Sequence, residues 1–240
     1  MLRVSVIIPA LNEEASIAGV ISELPFDVFE VIVVDNGSTD RTAVCAQAAG
    51  ATVVHEPIPG YGRACAAGAS AASNCSEILV FLDGDGSDDP ALLPQLLAPI
   101  LKGDIDFVIG SRIRGVREVG SMSAAQLVAG KIAGVIMWQL YGVHYTDMCP
   151  FRAIRHEAFL SLGMQEQTYG WNVEMQMKAA HQELRILEIP VPHRVRLAGV
   201  SKVAGSFAGT VRAAARILET LARIAWKTRR GPQAKAELAS

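Results

Sequence analysis

The chain has few cysteines: four in 240 residues, at positions 45, 65, 75 and 149. They form no C-x-x-C pair and no metal-ligand spacing, which argues against a zinc module or a disulfide scaffold and fits a reducing, cytoplasmic setting. Runs of about 18 uncharged apolar residues are missing too, so no transmembrane helix is expected. The opening MLRVSVIIPALNEE has no small-residue cleavage site and serves better as a first strand than as a secretory signal. No G-x-G-x-x-G follows that strand and no Lys-Ser/Thr closes a P-loop, which argues against a dinucleotide-binding domain. Internal repeats and low-complexity linkers are also missing. A net charge of −2 argues against bulk nucleic-acid binding, so no nucleic-acid partner is expected.

Half of the residues are hydrophobic and 19% are charged, enough to bury a sizeable core as one domain. The charge is uneven. From His193 onward there are ten Lys/Arg against two Glu, while residues 1–192 carry twelve against twenty-two acidic residues. An acidic body with a basic C-terminal segment predicts a surface that meets something anionic.

Strand-like and helix-like segments alternate. Val4–Pro9 reads as a buried strand closed by Pro9, and Asn12 as the cap of a helix to about Leu24, with Glu13 in its first turn. Glu30–Val34 is a second strand ending at Asp35 and the turn Asn36-Gly37-Ser38, after which Asp40 opens a helix to about Gly50. Ala51–His55 is a third strand, followed by the glycine-rich turn PIPGYGRACAAG and a helix through Ser73. Ile78–Leu82 is a fourth strand, Pro90–Leu101 a helix, and Asp106–Ile109 a fifth strand ending in Gly110-Ser111-Arg112. This spacing indicates βαβ units and a mainly parallel sheet. Asp35, Gly62, Asp83, Asp85 and Arg112 would then line one crevice at the strands' C-terminal ends.

The second half is less regular. Ser121–Val143 reads as a long helix, apolar nearly all round, that could be core, partner surface or membrane-facing. A helix from about Gly170 to His181 bears Trp171 and Glu174. Leu184–Ile189 and His193–Val195 read as short strands, and a last helix runs from about Ser206 to Arg229. A single domain over 1–230 is expected, with halves 1–112 and 113–230 and a frayed tail at 231–240.

The densest chemistry is EILVFLDGDGSDDP, residues 77–90, where a buried strand empties into aspartates and glycines. Asp83 and Asp85, two apart in an extended turn, can both reach one hard cation, Mg²⁺ or Mn²⁺, leaving positions for substrate phosphates. A calcium loop is excluded, because Asp88 stands where glycine is needed and Pro94 where the bidentate Glu belongs. A phosphatase of the haloacid-dehalogenase type would carry its D-x-D after the first strand, and here three strands precede it.

In order, VIIPALNEE, VIVVDNGSTDRT, GYGRACAAG, FLDGDGSDDP, IGSR, TDMCPFRA, YGWNVEM and RLAGVSK resemble a family 2 glycosyltransferase, within it the dolichyl- or polyprenyl-phosphate sugar synthases. The resemblance covers nearly the whole chain. It implies an α/β GT-A fold: a Rossmann-like, mainly parallel sheet flanked by helices. It also implies metal-dependent, inverting transfer of a hexose from a UDP- or GDP-sugar to a polyprenyl phosphate. By the same resemblance Pro9, Asn12, Glu13 and Asp35 border the base or ribose and Gly62 and Arg63 sit beside the nucleotide. Asp83 holds ribose or sugar, Asp85 holds the metal, and Arg112 faces the diphosphate. Where many relatives carry a metal-binding Gln this chain has Ser87, so that Ser87 or Asp89 would complete the site; an impaired metal site would leave a non-catalytic nucleotide-sugar-binding module. Many relatives also add C-terminal membrane spans, which this chain lacks.

The acceptor side is read from charge. Arg196, Gly199, Ser201 and Lys202 form R-x-x-G-x-S-K, a basic loop suited to a phosphate. Asp147 is the fallback base for a hydroxyl acceptor, and Glu174 a candidate acceptor contact. On the last helix Arg212, Arg216, Arg223, Lys227 and Arg230 share one face opposite Phe207, Val211, Leu218, Leu221 and Ala225. That amphipathic helix predicts peripheral contact with anionic lipid on the inner face of the cytoplasmic membrane. His144, His181 and His193 read as surface or core residues, and Trp138 and Trp171 as packing anchors.

Overall fold

The computed structural model describes residues 3–25, 28–197 and 219–226. Seven strands, β1 (Val4–Ala10), β2 (Glu30–Asp35), β3 (Thr52–His55), β4 (Ile78–Phe81), β5 (Phe107–Ser111), β6 (Arg152–Arg155) and β7 (Ile186–Pro190), form one sheet in the order β3-β2-β1-β4-β6-β5-β7. Helices α1 (Ile17–Ser22), α2 (Thr42–Ala48), α3 (Tyr61–Ala71), α4 (Leu93–Leu101), α5 (Ala124–Tyr141), α6 (His156–Leu162) and α7 (Trp171–His181) flank it. All pairings are parallel except those of β6, which runs antiparallel to both β4 and β5. β1 is buried along its whole length, which is why its sequence does not alternate; its one polar residue, Ser5, is buried with its hydroxyl donating to Glu30. The C-terminal ends of β1, β2, β4 and β5 therefore emerge on one side.

Several expectations change here. β1 runs one residue past Pro9, to Ala10 opposite Asp35. Asn12 caps no helix: its φ is +54°, a left-handed conformation that asparagine tolerates. Its Oδ1 accepts from the Thr39 amide at 2.8 Å, tying the β1 loop to the turn after β2, and α1 begins only at Ile17. The strand expected at His193–Val195 is a single bridge between Arg117 and His193. β6 and α6 were not anticipated. RAIR has no period of two, and Arg152, fully buried, donates to the Cys149 carbonyl and the Asn172 carbonyl behind the sheet. Burial of an arginine on backbone carbonyls cannot be read from spacing.

α5 is closed at both ends by local chemistry. Ser123 and Gln126 form a capping box, and Gly142 at φ +71° ends the helix in the left-handed region. Only one side of α5 is buried, at Ala133 and Met137, while Val128, Ile132, Val135 and Trp138 remain about half exposed. Trp138 is therefore no core anchor; it stacks on His144 at 5.1 Å. Trp171, by contrast, packs in the core against Phe81 and Phe159. Among the described residues no helix is long and apolar enough to cross a membrane.

Of the last helix, the described residues 219–226 are helical. Leu221 and Ile224 are buried, and Arg223 is turned onto the body of the protein, where its Nη2 pairs with Glu166 Oε2 at 2.6 Å. Arg223 does not belong to a free basic stripe. Arg212, Arg216, Lys227 and Arg230 lie outside the described residues, as do Gly199, Ser201 and Lys202.

Candidate active site

The strand ends open into a cleft of about 610 Å³, closed opposite by residues of α5, of the segment 147–150 and of α7. Pro9, Glu13, Asp83, Asp85, Arg112, Asp147 and Arg196, from five separate segments of the chain, all line it.

The acidic loop forms the floor. Tyr61, opening α3, donates its hydroxyl to Asp83 Oδ1 at 3.1 Å. Burial, and then the neighbouring Asp83 charge, push the Tyr61 phenol well above its ordinary pKa, so it stays a donor. Burial, then the charges of Asp85 and Asp88, push the Asp83 carboxyl well above the usual range. Such a pair gains from a cation between or beside it. Asp85 already has one: its Oδ2 lies 3.2 Å from Arg196 Nη2, which also reaches Glu13 Oε1 at 2.9 Å. The segment around Arg196 is strapped across the loop by the Arg194 amide on the Ser87 carbonyl (2.9 Å) and the Leu197 amide on the Asp85 carbonyl (3.1 Å). Gly86 sits at φ +76°, a left-handed conformation that favours glycine in this turn.

Arg112, just past β5, is clamped by Asp147. Its backbone amide and Nε donate to Oδ2 at 2.9 and 2.7 Å, and its Nη2 donates to Oδ1 at 2.8 Å. Burial alone would raise the Asp147 carboxyl, but the hydrogen bonds from Arg112 outweigh it and hold Asp147 below the ordinary carboxylate range. Gln176 Nε2 fixes the Asp147 carbonyl from α7 at 2.9 Å.

Other anticipated residues sit elsewhere. Asn12 and Asp35 are not among the residues that line the cleft; Asp35 accepts from the Ser38 amide at 3.0 Å and lies 3.2 Å from His55. Its neighbour Asn36, which sequence reading missed, lines the cleft and holds the 56–60 wall, donating to the Glu56 and Ile58 carbonyls and accepting from the Gly60 amide. Gly62 and Arg63 face the loop 164–170 instead: the Arg63 amide donates to the Gln167 carbonyl, and a Cβ on Gly62 would lie 2.4 Å from the Glu166 carbonyl oxygen. Gly62→Ala should therefore cost roughly 1–3 kcal/mol as an overpacked contact. Its melting temperature should fall, with nucleotide affinity per folded molecule little changed; a stable variant that no longer binds nucleotide would return Gly62 to the site.

Glu174 is likewise outside the cleft. It is fully buried, accepts from the Gln165 and Glu166 amides at 2.9 and 2.6 Å, and pairs with Lys178 at 3.0 Å. Its role is to shape the 164–166 loop, not to touch an acceptor. Asp89 caps the turn Pro90–Leu92 and pairs with Arg194 at 3.0 Å, whereas Ser87 lines the cleft. His193 was read from the sequence as a surface or core residue rather than a ligand. It lines the cleft, and its buried Nδ1 has no hydrogen-bond partner, 3.9 Å from an equally unpartnered Asp88 Oδ1. Burial, then the positive charge of Arg112, push its pKa down to about 4, so the ring is neutral and able to act as a ligand.

Among the described residues no three His, Cys, Asp or Glu side chains converge closely enough to hold a metal by themselves. Asp83, Asp85 and the neutral His193 ring nevertheless supply donors suited to Mg²⁺ or Mn²⁺, in a cleft where a carboxylate is already balanced by a guanidinium. Such a set fits an ion that shares its shell with substrate phosphates.

Comparison with known proteins gives the same picture. The model of glycosyl transferase family 2 matches residues 5–163. An uncharacterized glycosyltransferase of Mycobacterium tuberculosis is 39% identical over 212 residues, 87% of this chain and 93% of the relative. An undecaprenyl-phosphate mannosyltransferase of Micrococcus luteus is 32% identical over 224 residues, 87% of this chain and 90% of the relative. Among solved structures, glucosyl-3-phosphoglycerate synthase from Mycobacterium tuberculosis, in complex with Mn²⁺, UDP-glucose and phosphoglyceric acid, superposes with a TM-score of 0.75. It is 25% identical, over 93% of this chain and 80% of that one.

Proposed function

This chain belongs to glycosyl transferase family 2, and on that premise we propose that it moves a hexose from a UDP- or GDP-sugar to a polyprenyl phosphate. The observation that carries the acceptor is the Arg112–Asp147 clamp. An alcohol acceptor must lose a proton as it attacks and needs a base within reach. Asp147 is held on both oxygens by Arg112 with its basicity lowered, and Glu174 faces away, so neither acceptor-side carboxylate serves as that base. A phosphate monoester is already anionic near pH 7 and needs only cations to position it. The similarity to an undecaprenyl-phosphate mannosyltransferase supports the same reading.

Roles follow from position. Pro9, Glu13 and Asn36 would border the nucleotide, and Asp83 the sugar or ribose. Asp85 would hold a divalent cation, with His193 and Ser87 nearby. Such a cation, when bound, neutralises the charge that grows on the diphosphate as the glycosidic bond breaks. The Mn²⁺ and UDP-glucose of the superposed synthase support a metal-dependent nucleotide-sugar site. Arg112, rigidly held, would face the diphosphate. Arg196 would have to leave Asp85 for that carboxylate to take a metal, which frees a guanidinium for the acceptor phosphate.

Replacing Arg196 and Lys202 together by alanine should lower transfer to polyprenyl phosphate by roughly a hundredfold, the loss of two charge-assisted contacts. Donor binding, read as the thermal shift given by UDP, GDP and their sugars with Mg²⁺ or Mn²⁺, should persist. Undiminished transfer by the double variant would remove the basic loop from the acceptor site. A second reading, transfer to a small soluble acceptor, is favoured by the superposed synthase with its phosphoglyceric acid. Activity on phosphoglycerate with none on a prenyl phosphate would establish it.

A further inference from the structure

We propose that Asp88 is a positioning residue: it holds the proton of the His193 ring on Nδ1, so that Nε2 reaches the cleft as a bare nitrogen ligand. Asp88 and His193 are both buried, and each has one side-chain atom with no hydrogen-bond partner, Oδ1 of the one and Nδ1 of the other. Unpartnered buried polar atoms are few in a folded protein. These two face each other at 3.9 Å, and an approach of about 1 Å brings them into hydrogen-bond range. His193 lines the cleft and Asp88 does not, so the carboxylate backs the ring from outside the cleft.

The surroundings hold both groups in place. The His193 amide donates to the Val116 carbonyl and its carbonyl accepts from the Glu118 amide, both at 2.9 Å. The next amide, that of Arg194, is tied to the Ser87 carbonyl at 2.9 Å, directly before Asp88. On the other side Asp88 Oδ2 accepts from the Asp83 amide at 3.4 Å, which commits that oxygen and leaves Oδ1 for the ring. A neutral imidazole has one N–H and one lone-pair nitrogen, and only the tautomer protonated on Nδ1 offers Nε2 to a cation. An ionised carboxylate can only accept, so it selects that tautomer and makes Nε2 the more basic ligand. Of the other aspartates in this loop, Asp83 and Asp85 line the cleft, while Asp89 caps a turn and pairs with Arg194. The contact with His193 is what remains for Asp88. That orienting contact stands by itself, whereas its purpose rests on the reading of His193 as a ligand beside Asp85.

The test is the ¹⁵N spectrum of the His193 ring in the metal-free full chain at about pH 8, where the Asp88 carboxyl, raised by burial to about 7, is ionised. Wild type should show Nδ1 protonated and Nε2 bare. In Asp88→Asn the side-chain oxygen keeps the Asp83 amide and the NH₂ is turned to the ring, so the proton should move to Nε2 with the melting temperature little changed. Asp88→Ala, which removes the acceptor and adds no donor, should give a mixture of tautomers. Binding of Mn²⁺ alone, followed by the EPR signal of the free ion, should weaken roughly tenfold to a hundredfold in Asp88→Asn. A wild-type ring protonated on Nε2, or a tautomer that Asp88→Asn leaves unchanged, overturns the proposal. So does undiminished Mn²⁺ affinity in Asp88→Asn beside a loss in His193→Ala. Undiminished affinity in His193→Ala, with the tautomer still flipped in Asp88→Asn, instead sinks the ligand reading of His193 and leaves the orienting contact standing.

Discussion

Asp85→Ala is expected to lower turnover roughly a thousandfold or more at saturating Mn²⁺, with the melting temperature nearly unchanged. The rate loss follows if Asp85 anchors a cation that stabilises the leaving diphosphate by several kcal/mol, each 1.4 kcal/mol being about tenfold in rate. The stability expectation follows from charge. Burial and the Asp85 and Asp88 charges push the Asp83 carboxyl well above the usual range, so removing Asp85 relieves a like-charge repulsion. Arg196 loses one partner and keeps Glu13 at 2.9 Å. Steady-state rates with melting curves on the same preparation check both halves. A variant with near-wild-type turnover would take the metal away from Asp85.

Asp147→Ala should be the most damaging single change to stability, costing about 3–5 kcal/mol because it leaves the guanidinium of Arg112 buried without its counter-charge. For a chain of this size that is a fall of about 10 °C or more in melting temperature. The double variant Arg112→Met/Asp147→Leu should recover much of that loss while remaining inactive, since an apolar pair of similar volume has no charge to desolvate. The pH dependence has a definite sign. Asp147 titrates lower in the folded protein than in the unfolded chain, so its contribution is complete above the unfolded carboxylate value of about 4. It is lost as the pH falls through the folded value, and Asp147→Ala should flatten the acid limb of the stability curve. A variant as stable as wild type would mean that the clamp is not closed in solution.

Much of the donor half was legible in the sequence because its signals are local. Continuous apolar runs such as VIVV and ILVFL mark buried strands, and the carboxylate directly after each one lands at the strand's C-terminal end. That reasoning brought Asp83, Asp85 and Arg112 to one cleft. It failed where a residue's job is set by a distant partner. Glu174 looked like a helix-face acid near a substrate, yet two loop amides and Lys178 consume it. Gly62 was expected beside the nucleotide, and in the structure its missing Cβ admits the Glu166–Gln167 backbone. Arg223 fell on a helical basic stripe by periodicity, but Glu166 claims it. His193 had no motif around it; only the strap that folds back over Ser87 puts it in the cleft. β6 was invisible for a similar reason, since its place between β4 and β5 depends on the antiparallel return of the chain rather than on its four residues.

The claim that the acceptor is a phosphate is tested most directly by competition. Equal concentrations of a short-chain prenyl phosphate, the matching prenol and 3-phosphoglycerate are given with UDP- or GDP-hexose and Mn²⁺, and the glycosylated products are resolved by mass. The clamp on Asp147 predicts hexosyl prenyl phosphate as the dominant product, with the prenol untouched. Efficient glycosylation of the prenol, or of phosphoglycerate in preference to the prenyl phosphate, would contradict it.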